Sequence, residues 1–193
     1  MTNLGRQARL TCAAGYSAVE MMMAMGIFGV LSAMAVVQIG QARPGITGDG
    51  AMRVAMSQMR QARELAITQR RFMRVTFDVP NNQVQVIREE VPGNALTTLS
   101  SVPFEGGVVY TLVAGVPDTP DAFGRNGAVD FGNAQLIRFG PEGTLVNQAG
   151  ANLNGSIFLA MPNVKLSSRA VTVLGSTGRI RGYRWDGAKW VLV

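Results

Sequence analysis

Very few side chains here have the type and spacing to do chemistry. Glu20 is the first of them, at the head of nineteen uncharged residues, Met21 to Ile39. A carboxylate placed in a bilayer costs on the order of 2.5–3.5 kcal/mol and usually has a partner, so Glu20 stands out as a residue that needs one. A second group is Gly178-Arg179-Ile180-Arg181, with Arg184 and Lys189 close behind. On a strand, Arg179 and Arg181 share a face about 6.6 Å apart, a spacing at which two guanidiniums grip successive phosphates of DNA. Tyr183, Trp185 and Trp190 lie nearby and would stack on a base, or else pair in a hairpin core.

The other candidates point away from catalysis. There is no histidine, which removes the commonest general base and metal ligand, and the single cysteine is Cys12. Glu89 and Glu90 are adjacent on an expected strand, so they face opposite ways and cannot act as an acid–base pair. Asp118, Asp121 and Asp130 fit no calcium loop and read as a turn-rich surface segment. Gly124–Gly127 and Gly140–Gly143 lack a following Lys-Ser/Thr and read as turns, not phosphate cradles. Five methionines, Met21, Met22, Met23, Met25 and Met34, read as adaptable apolar packing. No enzyme activity, metal or cofactor is expected.

The elements that must position Glu20 are equally plain. As a helix, Met21–Ile39 spans roughly 28 Å, about a bilayer core. Arg6 and Arg9 before it put that flank in the cytoplasm and the rest of the chain across the membrane. A secretory signal would carry its small-residue cleavage site after a shorter apolar run. Here Ala13-Ala14-Gly15 precedes the run. The chain has 193 residues, 47% of them hydrophobic, and a formal charge of +6. Without residues 1–15, 16 Lys+Arg face 12 Asp+Glu, a net +4, and no cysteine remains for a disulfide.

Beyond Ile39, Gln41–Gly50 contains Pro44 and several glycines and is expected to interrupt the helix, with Asp49 capping the next one. Met52, Ala55, Met56, Met59, Ala62 and Leu65 (or Ala66) then repeat at helical spacing over residues 51–71. Arg53, Arg60, Arg63, Glu64, Arg70 and Arg71 occupy the other face. From Phe72 the period falls to two. Arg74–Val79 and Gln83–Arg88 read as a hairpin. Further strands are expected within Val102–Val113 and at Val129–Phe131, Gln135–Phe139, Ser156–Ala160, Ala170–Leu174, Arg179–Trp185 and Lys189–Val193. Asp186-Gly187 turns the last pair. The fold class is α+β: a long N-terminal transmembrane helix, then an antiparallel β-sheet domain. The segments are a leader (1–15), a hydrophobic assembly helix (16–40), a break and amphipathic helix (41–71) and a β-rich globular domain (72–193).

Gly15-Tyr16-Ser17-Ala18-Val19-Glu20 with its apolar run resembles the prepilin signature of type IV pilin-like proteins. Tyr16 stands where Phe is commoner, and Val37 where major pilins often carry a kinking proline. The resemblance implies cleavage between Gly15 and Tyr16 by prepilin peptidase and N-methylation of Tyr16. It also implies pairing of Glu20 with the N-terminal amine of a neighbouring subunit. Phe139-Gly140-Pro141-Glu142-Gly143, Gly155-Ser156-Ile157-Phe158-Leu159 and Val171-Thr172-Val173 … Gly178-Arg179-Ile180 resemble the GspH/FimT family of minor pilins and pseudopilins. That implies a minor subunit near the tip of a type II secretion pseudopilus or a type IV pilus. Its partners would be other pilin subunits, prepilin peptidase and inner-membrane lipid, with the C-terminal domain in the periplasm. Gly178-Arg179-Ile180-Arg181 also has the Gly-Arg-x-Arg form of FimT-like minor pilins that bind DNA for uptake. A signal-anchored periplasmic domain outside any filament is the remaining alternative.

Overall fold

The computed structural model describes residues 15–93, 95–132, 134 and 136–193, with residues 37–42 as backbone alone. The leader positions 1–14, with Arg6, Arg9 and Cys12, and the expected strand start at Gln135 lie outside the described residues. Two compact units are present, one ending at Gln41 and the other covering Ala42–Val193.

The first unit is helical from Ala18 onward. Ser17 caps the helix: its Oγ accepts the Val19 N–H at 3.2 Å, and its carbonyl accepts the Met21 N–H at 3.1 Å. The window Ala18–Val36 has 19 residues, a mean hydropathy of 1.9 and no buried residue. This helix is therefore long and apolar enough to cross a membrane.

The expected break at Gln41–Gly50 is absent, because α1 is helical from Ala18 to Gln69 with Pro44 inside it. A proline in a helix interior removes one hydrogen bond and costs about 3 kcal/mol. Contacts within the second unit offset that cost. Arg169 is only 1% exposed, and its Nη2 donates to the Gly45 carbonyl at 2.8 Å. Its Nε donates to Asp49 Oδ1 at 2.6 Å. A Cβ at Gly48 would meet the Ser167 carbonyl oxygen at 2.6 Å, so glycine permits this close approach. The residues expected to break the helix thus dock it, and Asp49 is an ion-pair partner inside the helix instead of a cap.

The amphipathic pattern holds. Met52, Ala55, Met56, Met59, Ala62 and Ala66 are buried, and Leu65 is half-buried beside them. The helix closes after Gln69 with Arg70 in the left-handed region (φ 51°) and the Arg71 N–H on the Ala66 carbonyl at 3.2 Å, a Schellman end.

The strands are β1 (Met73–Asp78), β2 (Gln83–Glu89), β3 (Leu96–Pro103), β4 (Val109–Tyr110), β5 (Val129–Asp130), β6 (Ile137–Phe139), β7 (Leu145–Val146), β8 (Gly155–Ala160), β9 (Arg169–Leu174), β10 (Arg179–Trp185) and β11 (Trp190–Leu192). All pairings are antiparallel, and the class is α+β, but there are two sheets where one was expected. The first runs β3-β2-β1-β6-β7. The second runs β11-β10-β9-β8-β4, with β5 also on β8. Val75, Val84, Val86 and Phe139 of the first sheet and Ile157, Leu159, Val171 and Val173 of the second join the helix in one core. A second core covers the opposite face of the second sheet. There Val113 and Val116 of the 111–127 segment pack on Phe158, Ala170, Tyr183, Trp185 and Trp190.

Candidate functional site

Glu20 stands in the first turn of α1, exposed, three positions after the capping Ser17. Ser17-Ala18-Val19-Glu20 is thereby a capping-box sequence. An acid at this position also faces the positive end of the helix dipole. Gly15 and Tyr16 precede the helix in exposed, non-helical backbone, so the expected scissile bond is accessible to an enzyme. Ser17 was not singled out from sequence, although the S-x-x-E spacing was its signal.

The four basic residues read as a nucleic-acid patch do not come together. Arg179 and Arg181 share one face of β10, and Arg184 projects from the other, beside Gly182. Lys189 lies in the turn after β10, where its N–H donates to Asp186 Oδ1 at 2.7 Å. Arg179, Arg184 and Lys189 are exposed, whereas Arg181 is half-buried.

Arg181 is also engaged. Its Nη1 donates to Asp121 Oδ1 at 2.8 Å. Asp121 Oδ2 accepts from Thr172 Oγ1 at 2.6 Å and from the Tyr183 hydroxyl at 2.9 Å. Thr172 and Arg181 are cross-strand partners, so Asp121 sits over a register pair of the second sheet. Burial alone would push the Asp121 carboxyl up. The three donors and the Arg181 charge outweigh it and hold the carboxyl below its usual value. Its partner Tyr183 is pushed up, first by burial and then by its bond to Asp121. The segment from 111 to 127 is therefore pinned across the sheet. Trp190 Nε1 adds a bond to the Pro117 carbonyl at 3.0 Å.

The tryptophans are core residues. Trp185 and Trp190 face each other across β10 and β11, edge-on at 5.5 Å and 70°. Both are buried, so neither offers a face to a base.

Glu89 and Glu90 take separate partners, as their alternation requires. Glu89 lies between Arg74 (3.3 Å) and Arg138 (2.7 Å). Glu90 lies between Arg71 and Arg88, both at 2.5 Å. Arg74 and Arg138 are directly opposed on β1 and β6, a repulsive pair that Glu89 neutralises. Arg138 also lies 4.1 Å over the Phe72 ring.

The remaining acids organise loops. Asp130 Oδ2 accepts from the Asn126 N–H at 2.7 Å and its Oδ1 from the Gly132 N–H at 3.0 Å, while Asp118 Oδ2 accepts from the Gly124 N–H at 3.3 Å. Gly140–Gly143 forms the turn between β6 and β7, with Gly143 at φ 77° and its carbonyl accepting from Arg63 Nε at 3.0 Å. Among the described residues no group of three or more acidic or thiol side chains is gathered for a metal ion.

Sequence reasoning missed Arg169 and the binding of Arg181 by Asp121. An arginine at a strand start carries no sign that it is buried, and Asp121 is sixty positions from Arg181. No protein-family model matches the chain, and no curated protein or solved structure does either.

Proposed function

We propose that this chain is a minor subunit of a type IV pilin-like filament, anchored and assembled through the helix that begins at Ala18. The observation that carries the proposal is Glu20. It is one carboxylate in the first turn of an unburied apolar helix, five residues after Gly15. A lone charge there is costly in lipid or in an apolar helix bundle. A freed amine at Tyr16 of a neighbouring subunit would neutralise it and so favour one axial register. In this reading residues 1–15 are removed on the cytoplasmic side, Tyr16 is N-methylated, and the α+β domain lies in the periplasm. The machine is a type II secretion pseudopilus or a type IV pilus. Mass spectrometry of the membrane-extracted protein tests the processing. The expected species starts at methylated Tyr16, and a chain that keeps Met1 in cells carrying prepilin peptidase rejects the proposal.

A second reading is DNA binding through Gly178–Arg181. The exposed guanidinium of Arg179 favours it. Because Arg181 is bound to Asp121, a salt-dependent gel shift should weaken with Arg179→Ala far more than with Arg181→Ala. A shift indifferent to Arg179→Ala rejects this reading.

A further inference from the structure

Among the described residues three of the four sheet edges are blunt. β7 has two residues and β11 three, and the free side of β8 is covered by the two-residue β4 and β5. The fourth edge, β3, is eight residues long, carries no charge, and has no proline before its last position. Native proteins usually protect such an edge with charge, proline or a covering element. Thr97 donates to Glu90 at 3.0 Å and Ser101 to Gln83 at 2.9 Å, so these hydroxyls are satisfied within the chain. What stays open is the outward row of backbone N–H and C=O groups, flanked by exposed Leu96 and Leu99.

The two ends of this edge differ in charge. At the Leu96 end of this sheet Arg71 and Arg88 lie on Glu90, and Arg74 and Arg138, two and three strands in from the edge, lie on Glu89, four guanidiniums against two carboxylates. Beside Pro103 lie Asp78, which pairs with Gln83 next to Pro103, and Glu105. The stretches 78–83 and 103–106 contain no cation.

We infer that β3 pairs with β3 of a second copy of this chain, antiparallel and about a two-fold axis. Antiparallel pairing brings the basic end of each copy to the acidic end of the other, while parallel pairing would set like against like. An uncharged strand meets no repulsion from its own copy in any register. A two-fold axis closes the contact after two copies. The bulge at Leu99, opposite the step from Val86 to Ile87, divides the edge into two short runs. The contact therefore falls short of the roughly 1,200 Å² typical of stable complexes, and the association is weak and reversible. This goes beyond the filament reading, since it uses neither Glu20 nor the apolar helix.

Disulfide trapping tests it, using the full-length chain with Cys12→Ser and single cysteines along β3. Leu99→Cys, near the axis, should give a covalent dimer, and Thr98→Cys should cross-link to a differently tagged Ser101→Cys chain. Leu96→Cys alone should not cross-link to itself, but should cross-link to a differently tagged Pro103→Cys chain. Adding Glu105→Lys to Leu99→Cys should cost most of the dimer. No dimer from Leu99→Cys and no link between Thr98→Cys and Ser101→Cys overturns the inference. So does self-linking of Leu96→Cys as readily as of Leu99→Cys, or trapping of a different protein in place of a second copy.

Discussion

Asp121 is held by three donors, and this fixes how it answers to pH. Its carboxyl is kept below the ordinary value, so the folded chain resists protonation longer than the unfolded one. The stability it adds is complete above the ordinary carboxylate pKa of about 3.9 and fades as pH falls through the lower native value. Asp121→Asn should therefore cost about 2 kcal/mol near neutral pH. The gap from the native chain should narrow below about pH 4. Denaturant midpoints of the two proteins across that range check both statements. Under the filament proposal Glu20 is the other decisive residue. Glu20→Gln keeps the helix apolar, so membrane insertion and cleavage after Gly15 should persist while incorporation into filaments is lost. Fractionation of sheared fibres against membranes measures this, and undiminished incorporation would refute the pairing role. At this scale the place of Glu20 at the head of an apolar helix was legible, because a charge in an apolar run stands out by itself. Asp121 was not, because its importance comes from partners at 172, 181 and 183 that only the folded sheet brings to it.

The elements are held by a few close approaches. Arg169 joins β9 to α1 through Asp49 and the Gly45 carbonyl, and its Nη1 also serves the Leu166 and Ser168 carbonyls at 2.9 Å each. Arg169→Ala leaves Asp49 without its ion-pair partner and removes the donors to these carbonyls, and should cost about 3–5 kcal/mol in chemical unfolding. Gly182 brings β10 against the helix, where a Cβ would sit 2.8 Å from the Met56 sulfur and 3.0 Å from the Met52 sulfur. Methionines give way, so Gly182→Ala should cost about 1–3 kcal/mol. Arg70 occupies a helix-end position that favours glycine, and Arg70→Gly should raise stability by up to about 1 kcal/mol. The helix face 52–66 and the hairpin at 73–89 were readable from period alone, because each buries one clean stripe. The strand at Leu96–Pro103 was missed but for its last two residues, since strands were expected only within Val102–Val113. Its Leu-Thr-Thr-Leu-Ser-Ser run has no period of two, being exposed on both faces for most of its length. The continuous helix through Pro44 was misjudged for a different reason. Tertiary contacts to residues 167–169 override the local breakers, and no local pattern announces them.

Taken whole, the chain combines an apolar helix with a domain whose parts depend on distant sequence. The α+β class was evident from the change of period at Phe72, but the division into two sheets was not. It depends on β1 pairing with β6 over only three residues and on β8 pairing instead with β4, β5 and β9. The second sheet draws β8 to β11 from the final forty residues, and its inner face shares one core with the helix at 51–66. Removal of residues 169–193 should therefore expose that apolar stripe and lead to aggregation or proteolysis of the remainder, detectable by limited digestion. The clasp of Arg169 on Asp49 and Gly45 spans 120 and 124 positions, which bears on the order of synthesis. A chain emerging from its N-terminus displays the methionine stripe long before the arginine that secures the neighbouring turns is made. Until then the nascent domain has an uncovered greasy ridge, and its maturation is tied to completion of the last strands.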